Sequence, residues 1–127
     1  MMTTQEIANR LVELCRANQQ QQAVEELYAE NFVSLEAEGA PNQRSVGHAA
    51  HVEKGKNFEA MIANMNAVTW TDPIVAENFF TLGLYMNVDM TNGAKDVNMD
   101  EVCVYQVKEG KIVQEQFFYT VQPAPAE

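Results

Sequence analysis

The chain has 127 residues, of which 46% are hydrophobic and 9% aromatic, as expected for one ordinary globular domain. Eight Lys and Arg residues stand against eighteen Asp and Glu residues, so the formal net charge is -10. Because binding to nucleic acid or to an anionic membrane surface needs a basic patch, this charge argues against both partners. No apolar run approaches the ~20 residues of a membrane helix, and the N-terminus lacks a signal-peptide pattern. We therefore expect a soluble, cytoplasmic protein whose two cysteines, Cys15 and Cys103, stay reduced.

Three helices are predicted in the first half of the chain. Thr3 followed by Glu6 is a capping-box pattern, and apolar residues recur at helical spacing from there to about Asn18. A polar corner of four glutamines leads into a shorter second helix. The third helix is predicted over residues 47–65, where one apolar face recurs: Val52, Gly55, Phe58, Ile62 and Met65.

Strands are predicted after the second helix and through the second half of the chain. The aromatic and β-branched residues of 31–37 favour a short strand, and a turn-rich loop follows it. Beyond Asn66 the apolar residues alternate in four runs, at residues 68–77, 78–91, 97–108 and 111–121. The second run has one continuous apolar face: Phe80, Leu82, Leu84, Met86, Val88 and Met90. Pro73 cannot donate a ladder hydrogen bond and marks a bulge or an edge in the first run.

This order of elements predicts an α+β domain in which the N-terminal helices pack in the concave face of a curved antiparallel sheet, forming a cone. Where the third helix crosses the sheet, we expect a buried cluster of Phe58, Ile62, Met65, Leu84 and Met86. We find no internal repeat and no linker. Residues 1–122 are therefore predicted to form one domain, and the Pro- and Ala-rich residues 123–127 a flexible tail.

The layout of the chain and its closing hairpin, VYQVKEGKIVQEQFF, resemble the SnoaL-like branch of the nuclear transport factor 2-like superfamily. The resemblance in layout covers nearly the whole chain. It implies an α+β cone with a pocket between the helices and the concave face, and frequently a homodimer formed through the sheet. The superfamily includes ketosteroid isomerases, polyketide cyclases, dehydratases and non-catalytic binders, so the resemblance implies no single activity.

Two acids are predicted to share one face of the closing hairpin. The preferred interpretation of the Glu109–Gly110 turn is a three-residue loop with the glycine in a bulge, which places Cys103 across from Glu115. A two-residue turn would instead place Glu115 beside Val104. In the preferred register Glu101 and Glu115 lie on a face otherwise formed by Cys103, Tyr105, Val113 and Phe117.

Glu115, Glu101 and Tyr105 are therefore the candidate catalytic residues. Loss of water raises the pKa of a carboxyl, which a general base near neutral pH requires, and a nearby Tyr hydroxyl can stabilise an enolate oxygen. This set resembles the groups with which ketosteroid isomerases move a proton next to a carbonyl. Those relatives also use a carboxylate near the first strand, so the base stays open among Glu36, Glu101 and Glu115. The alternative is that the hairpin carboxylates face solvent or a partner subunit.

The remaining candidates concern ligand and metal binding. His48 and His51 lie three apart on the predicted third helix and could share a metal with Glu53, but no metal signature accompanies them. We therefore predict no metal and no cofactor. The candidate ligand-binding residues are Phe58, Ile62, Trp70, Met86, Cys103 and Phe117.

Three functions stay open at this point. The first is an isomerase, cyclase or dehydratase that uses a pocket carboxylate on a small apolar carbonyl compound. The second is a non-catalytic binder of a small hydrophobic ligand. The third is a dimerising module whose methionines fill the core. A homodimer is expected in each case, because one face of the strands needs a cover that the helices do not supply.

Overall fold

The computed structural model describes residues 1–121, and the predicted tail at residues 123–127 lies outside them. In chain order the elements are α1 (Thr4–Arg16), α2 (Gln20–Leu27), β1 (Tyr28–Leu35), β2 (Arg44–Val46), α3 (Gly47–Met61), β3 (Ile62–Trp70), β4 (Ile74–Ala76), β5 (Phe79–Met90), β6 (Val97–Lys108) and β7 (Lys111–Phe118). The helices pack against a curved, unclosed sheet, which confirms the predicted α+β class.

The strands of the sheet lie in the order β2-β1-β7-β6-β5-β3, and the short β4 pairs with β5 off this path. Strands β5, β6 and β7 form the predicted antiparallel meander. The prediction of a wholly antiparallel sheet is wrong at one place, since β1 runs parallel to β7. The chain between these two strands includes α3 and five other strands, so no hairpin dictates their relative direction.

The first helix forms where its sequence pattern predicted it. Thr3 and Glu6 make both hydrogen bonds of a capping box. The helix ends at Arg16 rather than at Asn18, because Asn18 takes a left-handed conformation with φ of 58°. The apolar face of α1 then packs on the sheet as part of the main core, with Ile7, Ala8, Leu11, Val12, Leu14 and Cys15 all buried.

The third helix is shorter than predicted and its apolar face is not a core face. It ends at Met61, and residues 62–70 form β3 against β5 instead of a last helical turn. None of the residues of α3 is buried, and Met65, now in β3, is 39% exposed. The expected buried cluster around Phe58, Ile62 and Met65 is therefore wrong. Ile62 and Met65 are three apart, which is a helical spacing, but pairing with the long β5 makes this segment a strand, with an irregular register between Ile62 and Asn64.

The second half of the chain follows its alternating pattern closely. The predicted face of β5 points to the core, where Phe80, Leu82, Leu84 and Val88 are buried. The first run divides at Pro73 into β3 and β4, because a proline cannot continue the ladder. Within residues 1–121, no helix is both long enough and apolar enough to cross a membrane.

The closing hairpin has a turn that differs from the preferred prediction. Lys108 pairs with Lys111 around a two-residue turn in which Glu109 and Gly110 both have positive φ. The register then shifts between Gln106 and Val107, so that Glu115 lies across from Tyr105 rather than from Cys103. Because the irregularity adds one residue to β7, the residues of β7 beyond it lie on the same face as they would after a three-residue loop. Glu115 therefore shares a face with Cys103 and Tyr105, as predicted, although the predicted register is wrong.

Candidate functional site

The side of the sheet that faces the helices carries the candidate acids in successive cross-strand rows. In the first row Glu115 lies between Tyr105 of β6 and Ser34 of β1. Two residues further along β6, Cys103 pairs with Phe117. The next row pairs Glu101 with Leu84 of β5. We call this surface the helix-facing side of the sheet.

Glu115 lies at the buried end of the helix-facing side, where its carboxylate accepts two hydrogen bonds. Its exposure is 2%. The Tyr28 hydroxyl donates to Oε2 at 2.8 Å and the Ser34 hydroxyl to Oε1 at 3.0 Å. Burial raises the pKa of the Glu115 carboxyl, and the two donors oppose that rise only in part. The predicted direction of this pKa is thus confirmed, while a catalytic role for Glu115 stays a prediction.

Lys54 of α3 links Glu115, through Ser34, to a second acid, Glu36. Its ammonium group donates to Ser34 Oγ at 2.9 Å and lies 2.5 Å from a carboxylate oxygen of Glu36. The other Glu36 oxygen accepts a hydrogen bond from the Tyr119 hydroxyl at 3.0 Å. Lys54 also lies over the ring of Phe117, 5.3 Å from its centroid. The ammonium group therefore has polar partners at the centre of the site.

Glu101 differs from the other two acids in lacking a strong partner. Burial raises the pKa of its carboxyl to about 7, and the negative charge of Glu36 adds to that rise. Its hydrogen-bond partner is the Cys103 thiol at 3.8 Å, which is a weak donor. The side chain is half-buried, so one part of it stays open to solvent. A carboxyl of this kind exchanges protons near neutral pH.

The two histidines of α3 lie over the aromatic residues of β1. His51 Nε2 is 4.0 Å from the nearer oxygen of Glu115, and its ring packs near Phe32 with a centroid distance of 5.9 Å. Burial lowers the pKa of His51, and the positive charge of Lys54 lowers it further. His51 is therefore neutral at neutral pH. Its Nδ1 and the Nε2 of His48 are buried without a hydrogen-bond partner among the described residues.

Apolar residues extend the helix-facing side beyond Glu101. Trp70 pairs with Leu84, and in the following row Val68 pairs with Met86. Met86 in turn pairs with Met99 of β6. Exposure rises along these rows, from 7% at Leu84 to 50% at Val68. The acids thus lie between a sealed core and an apolar surface that a small hydrophobic molecule could contact.

The structure brings most of the sequence-predicted residues to this surface. Glu101, Cys103, Glu115 and Phe117 lie there, with Trp70 and Met86 on its apolar part. The ring of Tyr105 stacks on Phe80 at a centroid distance of 4.7 Å. The half-buried Phe58 and Ile62 lie at the end of α3 and the start of β3.

Sequence reasoning missed three polar members of the site: Tyr28, Ser34 and Lys54. The phenol that binds Glu115 is Tyr28 rather than Tyr105. Ser34 carried a usable signal, since it is a polar residue between Val33 and Leu35 in the apolar half of β1. Lys54 carried none, because a lysine on a helix of mixed character is normally solvated.

The surface also has clefts away from the acids. One of about 600 Å³ lies between α1 and the segment before β4, and includes Arg16 and Asp72. Another of about 470 Å³ lies between the N-terminus and the β6–β7 turn. Neither includes Glu101 or Glu115. A closed pocket at the acids therefore stays a prediction.

Comparison with known proteins places these features in a family. The model of the SnoaL-like domain matches residues 2–119. A solved structure from Mesorhizobium loti, described as a SnoaL-like polyketide cyclase, is 31% identical with a TM-score of 0.85, covering 93% of this chain and 100% of that chain. No match was found among curated proteins.

Two more distant structures share the fold. One, from Pseudomonas putida and described as a polyketide cyclase, is 12% identical with a TM-score of 0.68, covering 95% of this chain and 94% of that chain. The other is a protein from Catenulispora acidiphila in complex with trimethylamine, described as having a ketosteroid isomerase-like fold. It is 18% identical with a TM-score of 0.70, covering 91% of this chain and 86% of that chain. At these identities the likeness concerns the fold alone.

Proposed function

Because the chain belongs to the SnoaL-like family, we propose that it binds a small apolar carbonyl compound on the helix-facing side of its sheet and moves a proton at the carbon next to the carbonyl. Such a step is common to isomerases, cyclases and dehydratases that need no cofactor. The observation that carries the proposal is Glu101, a half-buried carboxyl whose pKa of about 7 suits a general base at neutral pH.

The contacts of the three acids favour Glu101 over the other two as the base. Both oxygens of Glu115 already accept hydrogen bonds in the buried end of the site. Glu36 is held by Lys54 and by the Tyr119 hydroxyl. Within residues 1–121, Glu101 has only the weak thiol contact, and it borders the apolar rows, where a ligand would lie. Its carboxylate is therefore the one that is free to take a proton.

The apolar rows next to Glu101 support a hydrophobic substrate. Val68, Met86 and Met99 form one row across three neighbouring strands, on the same side of the sheet. Methionine side chains adapt their shape to irregular apolar partners at little energetic cost. Trp70 lies one row closer to the acid and can contact the same ligand. The name of the relative from Mesorhizobium loti supports a cyclase in particular.

The proposal can be tested with 2-tetralone, a bicyclic apolar ketone whose hydrogens next to the carbonyl exchange slowly in heavy water. Deuterium uptake at these positions is followed by NMR with and without the protein. We expect the wild type to accelerate exchange, and Glu101→Gln to reduce that acceleration by about 10²-fold or more, as for loss of a general base. Glu25→Gln, which changes an exposed acid of α2, is the matched control and should leave the rate unchanged.

Binding is measured separately from catalysis through the fluorescence of Trp70, the only tryptophan of the chain. A saturable change in its emission reports ligand on the apolar rows. If 2-tetralone binds but exchange is not accelerated, the protein is a non-catalytic binder. If exchange is accelerated equally in wild type and Glu101→Gln, Glu101 is not the base.

We further propose that the protein is a homodimer formed through the opposite side of the sheet. Tyr85, Val102 and Phe118 lie there on three neighbouring strands, and each is close to half exposed. Burial of about 1,600 Å² in total would suffice for a stable pair. The cytoplasmic location expected from the sequence stays a prediction.

Light scattering should therefore give twice the 14.3 kDa chain mass at micromolar concentration. Val102→Asp should produce monomers, because the charge would be buried in the interface. Val68→Asp is a control with the same exposure on the other side of the sheet, and it should leave the dimer intact. A monomeric wild type would rule out the dimer.

A further inference from the structure

Three groups in series connect α3 to the buried acid. Lys54 Nζ donates to Ser34 Oγ at 2.9 Å, and Ser34 Oγ in turn lies 3.0 Å from Glu115 Oε1. A lysine ammonium has donors only, whereas a serine hydroxyl has a single hydrogen. The Ser34 oxygen therefore accepts from Lys54, and the acceptor that the described residues offer to its hydrogen is Glu115 Oε1.

This direction constrains where Glu115 can hold a proton. Because Ser34 donates to Oε1, that oxygen is an acceptor in the ionised carboxyl. It stays the acceptor in the protonated carboxyl, since a proton on Oε1 would leave the hydrogen of the buried Ser34 hydroxyl unpaired. The other oxygen, Oε2, lies 2.8 Å from the Tyr28 hydroxyl, which can donate or accept. We propose that Lys54 is a positioning residue, which through Ser34 assigns the exchangeable proton of Glu115 to Oε2, against Tyr28.

The assignment makes Tyr28 the one reversible partner of Glu115. When Glu115 is ionised, the Tyr28 hydroxyl donates to Oε2. When Glu115 is protonated, its O–H donates to the Tyr28 oxygen, and the Tyr28 hydrogen becomes available to another acceptor. As a role in catalysis this inference rests on the function proposed above, whereas the position of the proton can be measured without any substrate.

Lys54 belongs to a group of side chains whose charges act on Glu115 from every element packed around it. The charged members are Lys54, Glu36 and Glu101. His51 of α3 also faces the Glu115 carboxylate. The other titratable members are Cys15, Tyr28, Cys103 and Tyr105. Lys54 is the cation that opposes the rise in the pKa of Glu115. Its removal therefore favours the protonated carboxyl.

Infrared spectroscopy locates the proton through the carbonyl stretch of protonated Glu115, isolated as the difference between wild type and Glu115→Gln at acidic pH. If Oε1 is the carbonyl oxygen, Ser34→Ala removes its hydrogen bond and moves the band to higher frequency, by more than Tyr28→Phe does. If Tyr28→Phe produces the larger shift, the proton is on Oε1 and the proposal is wrong.

The part played by Lys54 is tested with Lys54→Met against Lys56→Met, which removes an exposed lysine from the same helix. Without Lys54 the Ser34 hydroxyl can turn, so we expect two carbonyl bands for Glu115 in Lys54→Met and one in Lys56→Met. By carboxyl NMR the midpoint of Glu115 should rise by about one pH unit in Lys54→Met, as for loss of a nearby opposite charge. Lys54→Arg keeps the charge and should titrate near the wild type. Unchanged bands and midpoint in a folded Lys54→Met would overturn the proposal.

A final measurement separates this inference from the proposed function. If 2-tetralone exchange is catalysed, its acid limb should move to higher pH in Lys54→Met and stay in place in Lys56→Met, because the Lys54 charge also lowers the pKa of Glu101. If no exchange is catalysed but the band and titration results hold, the proton assignment stands and the catalytic function fails. If exchange is catalysed and the bands do not respond, the assignment fails alone.

Discussion

Replacement of Glu101 by Gln should stabilise the protein at neutral and alkaline pH. Burial raises the pKa of this carboxyl from 4.5 to about 7, so the folded protein keeps a proton that the unfolded chain releases. The stability that comes with this raised pKa is fully present below pH 4.5. It is lost as the pH rises through about 7, because the ionised group must then be buried. The amide in the Glu101→Gln variant has no charge to ionise, so the variant keeps its low-pH stability.

The size of the effect follows from the pKa difference. A difference of one pKa unit corresponds to about 1.4 kcal/mol, so a rise from 4.5 to about 7 corresponds to roughly 3 kcal/mol above pH 7. Glu101→Gln should therefore increase the free energy of unfolding by about 2–3 kcal/mol at pH 8 and by little at pH 4.5. The same substitution is expected to remove activity, because residues that serve function often lower the stability of the folded protein.

Urea unfolding followed by circular dichroism at several pH values measures this difference directly. The control is Glu25→Gln, which removes one negative charge from an exposed position and so accounts for the change in net charge. The reasoning is refuted if the two variants show the same stability difference from wild type at pH 8. It is equally refuted if the gain in Glu101→Gln does not change between pH 4.5 and 8.

Three further predictions concern the fold. Leu82→Ala should lower the free energy of unfolding by about 3 kcal/mol, because Leu82 is completely buried in the core. Phe58→Ala should cost less than half of that, since Phe58 is only half-buried on α3, and equal costs in urea unfolding would contradict the position of this helix. Gly110→Ala should cost about 1 kcal/mol, because Gly110 has φ of 76° in the hairpin turn, and an unchanged thermal midpoint would argue against that turn.

Strong local patterns made most of the elements predictable. The capping box at Thr3 and the alternating face of β5 appear in the structure as the sequence indicated. Local rules failed at the end of α3, where the spacing of Ile62 and Met65 is helical but pairing with β5 makes the segment a strand. The parallel pairing of β1 with β7 had no local signal, because neither strand is joined to the other by a turn.

The candidate site divides in the same way. Alternation fixed which residues of its own strand share a face with Glu101 or with Glu115, because side chains two apart point to the same side of a strand. That the two acids share one face depended on the hairpin register, where the predicted register was wrong and an irregularity between Gln106 and Val107 gave the same face. Only the tertiary structure could add Ser34 and Lys54 around them and show that Glu36, already a candidate for the base, pairs with Lys54, since these residues come from distant parts of the chain.

Residue types and their local order therefore determined the α+β class, the strand faces and the two hairpin acids. Tertiary packing decided which acid is free. It gives Glu115 two hydrogen-bond donors and pairs Glu36 with Lys54, and it leaves Glu101 with a thiol. The physical reason is that the pKa and partners of a carboxyl depend on burial and on charges brought close by folding, and spacing along the chain does not contain that information.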